Sequence, residues 1–161
     1  MRPSTDNFEE KIIEIKRVAK KTKGGNRIRF TALAVVGDKA GKVGFGLARA
    51  LDVTTAISKA LAKARKGLVC VTIKDTTVPH EVLENYKSAS IKLMPAPKGS
   101  GIIAGGAVRD VLALCGIKDV SAKMLGSNNK MGAVVCTINA LKKMELKVEP
   151  KEVSKEENGV S

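Results

Sequence analysis

Aromatic residues are scarce in this 161-residue chain: three Phe, one Tyr and no Trp, 2 % in all. Modules that read single-stranded nucleic acid stack bases on several exposed rings, so a stacking reader is disfavoured. Histidine occurs once, at His80, beside Pro79 in a loop. A Cys–His nucleophile pair stays open on paper, but no third group is arranged to orient such a base. The three cysteines, Cys70, Cys115 and Cys136, are odd in number, far apart and set among aliphatic residues. Disulfide frameworks and zinc sites use closer, paired spacings. These thiols read as small buried hydrophobes of a reducing cytoplasm. No metal motif stands out and no cofactor is expected. The longest apolar runs, such as residues 102–108, fall far short of the ~20 residues a spanning helix needs. Residues 1–6 carry no apolar signal-peptide core. Neither a membrane nor a small-molecule substrate is expected as a partner.

Positive charge is what the chain has in excess. Lys and Arg number 29 against 16 acids, a net charge of +13. Such an excess repels itself unless a polyanion lies nearby. Residues 1–75 carry 17 basic and 7 acidic residues, whereas residues 146–161 carry 3 and 4. The density peaks over residues 11–29, where eight basic residues accompany one acid, Glu14. With apolar residues at 43 %, the chain can still bury a core.

Hydropathy patterning divides the chain in two. Residues 11–22 read as extended, with Ile13 and Ile15 on one face and a bulge expected near Arg17, where the apolar parity shifts. Residues 23–26 read as a flexible break. Residues 27–36 alternate, placing Ile28, Phe30, Ala32, Ala34 and Val36 on one face and Arg27, Arg29 and Thr31 on the other. Residues 37–41 have hairpin chemistry, and residues 42–48 return as a strand with Val43, Phe45 and Leu47 inward. Gly44 and Gly46 leave its opposite face bare, so another backbone can approach closely. A helical period follows through Val53, Ile57, Ala60, Leu61, Ala64 and Leu68, with Asp52 as N-cap and Gly67 as stop. The first half thus reads as a three-stranded antiparallel sheet plus helix, covered on one face.

In the second half, strands are expected at residues 69–73 and 91–94 with a turn-rich stretch between them. Helices are expected at 105–115 and 130–144, and a strand at 120–125. This is an α/β two-layer unit of two strand–helix repeats, making the whole chain α+β. The expected boundaries are a leader over 1–8, an N-terminal domain over 9–74, a C-terminal domain over 75–145 and a mobile tail over 146–161.

Two motifs invite enzymatic readings. Residues 99–104 fit the G-x-G-x-x-A form of a dinucleotide fingerprint, a weak signal alone. The full fingerprint needs an acid at the end of the next strand, yet that strand ends at Leu125-Gly126, and Asp119 lies at its beginning. Gly44-Phe45-Gly46-Leu47 matches part of a single-strand RNA reader, but Phe45 shares its face with Val43 and Leu47 and reads as core. Recognition by charge and contour is left. Lys16, Arg17, Lys20, Lys21, Lys23, Arg27 and Arg29 flank a glycine-containing turn, and Gly24 and Gly25 offer unobstructed backbone N–H groups. With Lys42 these form the candidate RNA-binding set. Neutralising about six phosphates would give a log K against log salt slope near −4 to −5. A free-standing double-stranded-RNA regulator and a phosphate-handling enzyme built on the glycine loop are the alternatives.

Arg17-Val18-Ala19-Lys20, Lys23-Gly24-Gly25, Phe30-Thr31-Ala32-Leu33, Val35-Val36-Gly37-Asp38 and Gly41-Lys42-Val43-Gly44-Phe45-Gly46 resemble the N-terminal half of the small-subunit ribosomal protein five family. The run from Gly99 to Arg109, then Ala122-Lys123 and Gly126-Ser127-Asn128, resembles its second half in order and spacing. The resemblance implies a double-stranded-RNA-binding-like N-terminal domain, a C-terminal α/β domain and no enzymatic activity. It implies small-subunit ribosomal RNA near the body–head junction as partner, together with ribosomal proteins four and eight. It further implies a place near the path of incoming messenger RNA, an influence on translational accuracy, and a protein boundary at Gly101, Gly105 and Arg109. Lys39-Ala40 departs from the family's usual Gly-Asn pair and Leu47 from its usual Tyr, both at positions expected to be exposed or at an edge.

Overall fold

The computed structural model describes residues 8–145. The expected leader, except Phe8, and the expected tail lie outside the described residues. In the first half, β1 (Glu9–Thr22), β2 (Gly25–Gly37) and β3 (Lys42–Ala50) precede α1 (Val53–Lys66) and β4 (Val69–Cys70). The second half contains β5 (Val82–Tyr86), β6 (Ala89–Pro95), β7 (Ile102–Ile103), α2 (Gly106–Cys115), β8 (Val120–Gly126) and α3 (Lys130–Glu145). The chain is α+β, as its patterning predicts. The three expected strands form an antiparallel sheet, and β4 joins them at the edge in the order β1-β2-β3-β4.

One face of this sheet carries α1. Its buried side chains are Ala56, Ala60 and Ala64, all small, and the first two cluster with Ala32 and Ala34 of β2. They can be small because Gly44 and Gly46 bring the helix backbone down onto β3. A Cβ at Gly46 would lie 2.0 Å from the Ala60 carbonyl oxygen, and one at Gly44 would lie 2.4 Å from that of Ala64. Asp52 occupies the N-cap position in extended conformation but makes no side-chain cap hydrogen bond.

The opposite face is covered as well, contrary to the single-sided reading. Leu33, Val35 and Val43 share one buried cluster with Val111, Leu112, Val134 and Ile138 of the second half. Hence residues 33–36 are buried on both sides, and β2 loses its strict alternation there. The bulge lies between Ile12 and Glu14 rather than near Arg17. The extra residue, Ile13, packs against the common core, whereas Ile15 on the other face stays 42 % exposed. At the hairpin tip the break is shorter than expected: only Lys23 and Gly24 form the turn, and Gly25 and Asn26 already pair with β1.

The second sheet has the order β5-β6-β8-β7, with β7 parallel to β8 and the other pairs antiparallel. Sequence reading missed β5, whose five residues sit in the stretch taken as turns, and β7, which is only two residues long. Two elements too short to show a period carry little signal. The helix α3 is buried over almost its whole circumference from Gly132 to Ile138, so the single stripe expected for it understates its burial. A helix apolar all round belongs in an interior. Its one polar residue there, Thr137, donates its hydroxyl to the Ala133 carbonyl at 2.7 Å. Cys115 and Cys136 are buried as expected; Cys70 is exposed, because β4 is an edge strand.

The two halves meet at the end of α2. Gly116 adopts a left-handed φ of 98° and closes the helix, its N–H donating to Ala113 O and that of Ile117 to Leu112 O. The next two carbonyls accept from the β2–β3 turn: Lys39 N–H reaches Leu114 O at 3.0 Å and Gly41 N–H reaches Cys115 O at 2.9 Å. Asp38 holds that turn by accepting from the N–H groups of Ala40 and Lys42, each at 2.8 Å. Lys39, with φ 56°, therefore sits at a backbone joint and not at a free turn. Leu47 likewise packs against the common core.

Asp119 organises the glycine-rich loop before β7. Its Oδ1 accepts the N–H groups of Gly99 and Gly101, both at 3.0 Å. A hydrogen bond from the Thr76 side chain, followed by that from Gly101 N–H, holds its carboxyl below the ordinary value of 3.8.

Gly46→Ala should lower stability by roughly 1–3 kcal/mol, because the new methyl must push α1 off the sheet. Urea unfolding checks this, and an unchanged midpoint would contradict the close approach. Asp119, with a folded pKa below its unfolded one, contributes stability that is present above the unfolded value and lost as pH falls through the folded value. Asp119→Asn should therefore be less stable than the parent at pH 7, with the gap closing in acid below the ordinary carboxylate range. A thermal-melt series over pH tests it; a gap independent of pH would refute it.

Candidate nucleic-acid interface

Beyond the pairing of Phe30 with Ala50, β3 ends and the β1–β2 hairpin continues alone. Residues 18–29 form a two-stranded ribbon that contains five basic residues and no acid. At ~3.3 Å per residue it projects about 20 Å from the sheet. Every residue of it except Ile28 is exposed. Two strands without an apolar face are marginal in water, so this ribbon is held from its base. Thr22 adds one local tie at the tip, donating its hydroxyl to Gly25 O at 2.8 Å. Gly25 itself has φ 129°, which a side chain would oppose.

Strand register sorts the sequence-predicted residues by face. Lys16 pairs with Thr31, Val18 with Arg29, and Lys20 with Arg27, so these share the face opposite α1. Thr31 in turn pairs with Arg49 on β3. Lys16, Lys20, Arg27 and Arg29 are thus gathered with Arg49, which sequence reading left out. Arg49 belongs to no basic run, and only its register reveals it. Arg17 and Lys21 pair with Phe30 and Asn26 and lie on the α1 face. Lys23, Gly24 and Gly25 form the tip between the two faces. Lys42 is not brought together with the rest. It lies beside the Gly37 end of β2, ten residues from Arg27, or about 33 Å along the strand.

The cationic face is shaped. A hollow of about 230 Å³ is lined by Val18, Lys20, Arg27, Arg29 and Arg49. Adjoining it, a groove of about 240 Å³ runs from Val18 and Arg49 to Asn129 and Met131 at the start of α3. At its inner end Glu14 pairs with Lys16 at 3.1 Å and with Lys130 at 3.6 Å.

The protein-boundary candidates sit in the second half. Gly101 has φ 71° and its N–H is held by Asp119. Gly105 is the N-cap of α2, and a Cβ there would lie 2.9 Å from the Met124 sulfur. Arg109 is exposed one turn into α2, its N–H donating to Gly105 O at 2.8 Å.

The enzymatic readings find no support in this geometry. The N–H groups of Gly99 and Gly101, which a dinucleotide phosphate would use, already point to Asp119. His80 lines a shallow hollow with Glu81, Val82, Leu83 and Lys143, and no cysteine or serine stands among them for it to activate. Among the described residues no cluster of three or more His, Cys, Asp or Glu could hold a metal. No helix among them is long and apolar enough to cross a membrane.

Comparison with protein-family models accounts for nearly all of the described chain. Residues 8–72 match the model of ribosomal protein S5, N-terminal domain. Residues 84–157 match that of ribosomal protein S5, C-terminal domain. The N-terminal match spans the first sheet with α1, and the C-terminal match takes in most of β5 and all that follows through α3. The projecting basic ribbon therefore falls on a family whose members are built into ribonucleoprotein. The chain belongs to the ribosomal protein S5 family: it is a non-enzymatic, structural constituent of the small subunit of the cytoplasmic ribosome, bound to ribosomal RNA and to neighbouring ribosomal proteins.

Proposed function

We propose that the basic ribbon and the sheet face at its base are the ribosomal RNA contact of this chain. The contact set is Lys16, Arg17, Lys20, Lys21, Lys23, Arg27 and Arg29 with the Gly24–Gly25 tip, and Arg49 added from the structure. One observation carries the reading: a ribbon of twelve residues, eleven of them exposed, with five cations and no acid, leaves the core and cannot stabilise itself. A folded RNA supplies phosphates on both sides of such a ribbon, and double-stranded RNA is recognised mainly through contour and backbone. Arginine forks two phosphate oxygens and lysine acts as a point charge, so the mixture suits an irregular backbone crossing. Arg17 and Lys21 reach phosphates on the α1 side. Lys42 belongs to a separate contact, because about 33 Å of strand separates its end of the sheet from Arg27.

In this reading the chain supports small-subunit assembly at the body–head junction and, from near the path of incoming messenger RNA, translational accuracy. The start of α2, with Gly105 and Arg109, and Gly101 of the loop before β7 face a neighbouring ribosomal protein; the family resemblance points to proteins four and eight. The two domains implied by the resemblance, residues 9–74 and 75–145, act as one body through their common core.

Replacing Lys20, Lys21 and Lys23 together by Glu should strongly reduce incorporation into reconstituted small subunits. Sedimentation of the assembled particles reads this out, and normal incorporation would remove the ribbon from the RNA contact. Arg109→Glu should alter the miscoding rate of ribosomes that contain it while leaving RNA affinity near the parental value. Equal miscoding in mutant and parent ribosomes would end the accuracy assignment.

A further inference from the structure

The groove beside the ribbon has a character that phosphate binding alone does not explain. Its walls include Val18, Leu33, Leu47 and Met131, an apolar lining in the middle of the most cationic face of the molecule. Phosphate recognition needs no such surface. Around the lining stand groups that both donate and accept. Arg49 makes no ion pair among the described residues, and only its Nε is engaged, with Thr31 Oγ1 at 3.4 Å. Its terminal nitrogens are free to lie flat against a ring or to fork an acceptor. Glu14 offers carboxylate oxygens from the inner end, and Asn129 an amide from the start of α3. The volume of about 240 Å³ lies below the ~300–1,000 Å³ of sites for drug-sized ligands. It suits one flat heterocycle.

We infer that this groove receives a single unstacked nucleotide of the bound RNA, its base on the Val18–Leu47–Met131 lining and its flanking phosphates on Lys20, Arg27 and Arg29. The inference rests on the ribbon being the RNA contact and adds what that contact selects: a bulged or looped-out residue in preference to an unbroken helix. Specific RNA readers gain selectivity from bases splayed out of the stack, and an Arg guanidinium plane can stand in for the missing aromatic rings. Arg49 borders both hollows, so it touches the base on one side and the phosphate track on the other. Glu14, whose oxygens also meet Lys16 and Lys130, accepts from the N–H of a base edge, a donor that a phosphate does not have.

The test uses the full chain and five RNA hairpins. One has an unbroken stem of about 16 base pairs; the other four carry a single unpaired A, C, G or U at its centre. Binding is followed by fluorescence anisotropy in dilute salt. At least one bulged hairpin should bind about tenfold more tightly than the unbroken stem, the size of one stacked base. Arg49→Met should bring that ratio close to one, and so should Val18→Glu, which lies on the ribbon where little packing is lost. Equal affinity for all five hairpins, or an advantage that persists in both variants, overturns the groove. The Lys20, Lys21 and Lys23 reversal separates the two claims. If it weakens the unbroken stem while the bulge confers nothing, the ribbon reading stands and the groove falls. If it leaves the unbroken stem unaffected, the ribbon reading falls too.

Discussion

A helix ends in four carbonyl groups that its own residues cannot satisfy. At the end of α2, two of them are closed by the chain reversal through Gly116, and the other two accept N–H groups from the β2–β3 turn of the other half. The approach leaves no slack. A Cβ at Gly116 would lie 2.2 Å from Lys39 O, and one at Gly37 would lie 2.2 Å from Leu114 O. Directional bonds therefore fix how the second half lies on the sheet, and the shared apolar cluster fills the space behind them. Everything on the RNA side inherits that fixation. The groove exists because α3 meets the sheet where Arg49 and Val18 end the covered region.

The ribbon is the counterpart of this rigidity. Its like charges lie within a Debye length of about 8–10 Å of one another, so repulsion is only partly screened. A free protein bears that cost with no local return. Hydrogen bonding between β1 and β2 maintains the ribbon, yet nothing apolar covers it. Such an element makes sense when a polyanion removes the repulsion, and membership of a ribosomal family supplies one. The same logic explains why the turn is so short. Two residues, Lys23 and Gly24, leave little entropy to be lost when the tip meets RNA.

Much of this was legible in the sequence because it rests on period. The alternation at Arg27, Arg29 and Thr31 and the helical spacing of Ala60, Leu61 and Ala64 are local signals, and both elements stand where they were expected. The bare face made by Gly44 and Gly46 was also legible, since the absence of a Cβ has only one steric meaning. What was hidden depends on register or on distant partners. Nothing local marks Arg49 as a neighbour of Arg29; the two come together through Val18, Thr31 and three strands. Ile13 as the bulge, rather than Arg17, follows from a core contributed by the second half. Asp119 looked misplaced for a ribose because its true partners, Gly99 and Gly101, lie in the loop packed against it. Cys70 read as buried because its neighbours are aliphatic, whereas β4 is an edge. Lys42 was grouped with the ribbon by charge alone, and the strand length separates them.

Charge along β1 shows how one strand serves both ends of the molecule. Its acids, Glu9, Glu10 and Glu14, all precede residue 15, and its cations lie mainly after it. Glu9 pairs with Lys39 at 2.5 Å, Glu10 with Arg65, and Glu14 with Lys16 and Lys130. Lys11, the one cation among those acids, pairs with Asp110 of α2 at 2.6 Å. Exposed pairs of this kind contribute about 0–1 kcal/mol each, so stability is a weak reason for them. Their more consequential effect is on potential. They neutralise the end of the strand that must pack against protein and leave the distal end without counter-charge. Glu14 stands at the boundary, the last acid before the ribbon and the inner wall of the groove. A polyanion approaching this molecule is therefore drawn to one end, and the groove is where the attraction stops and shape takes over.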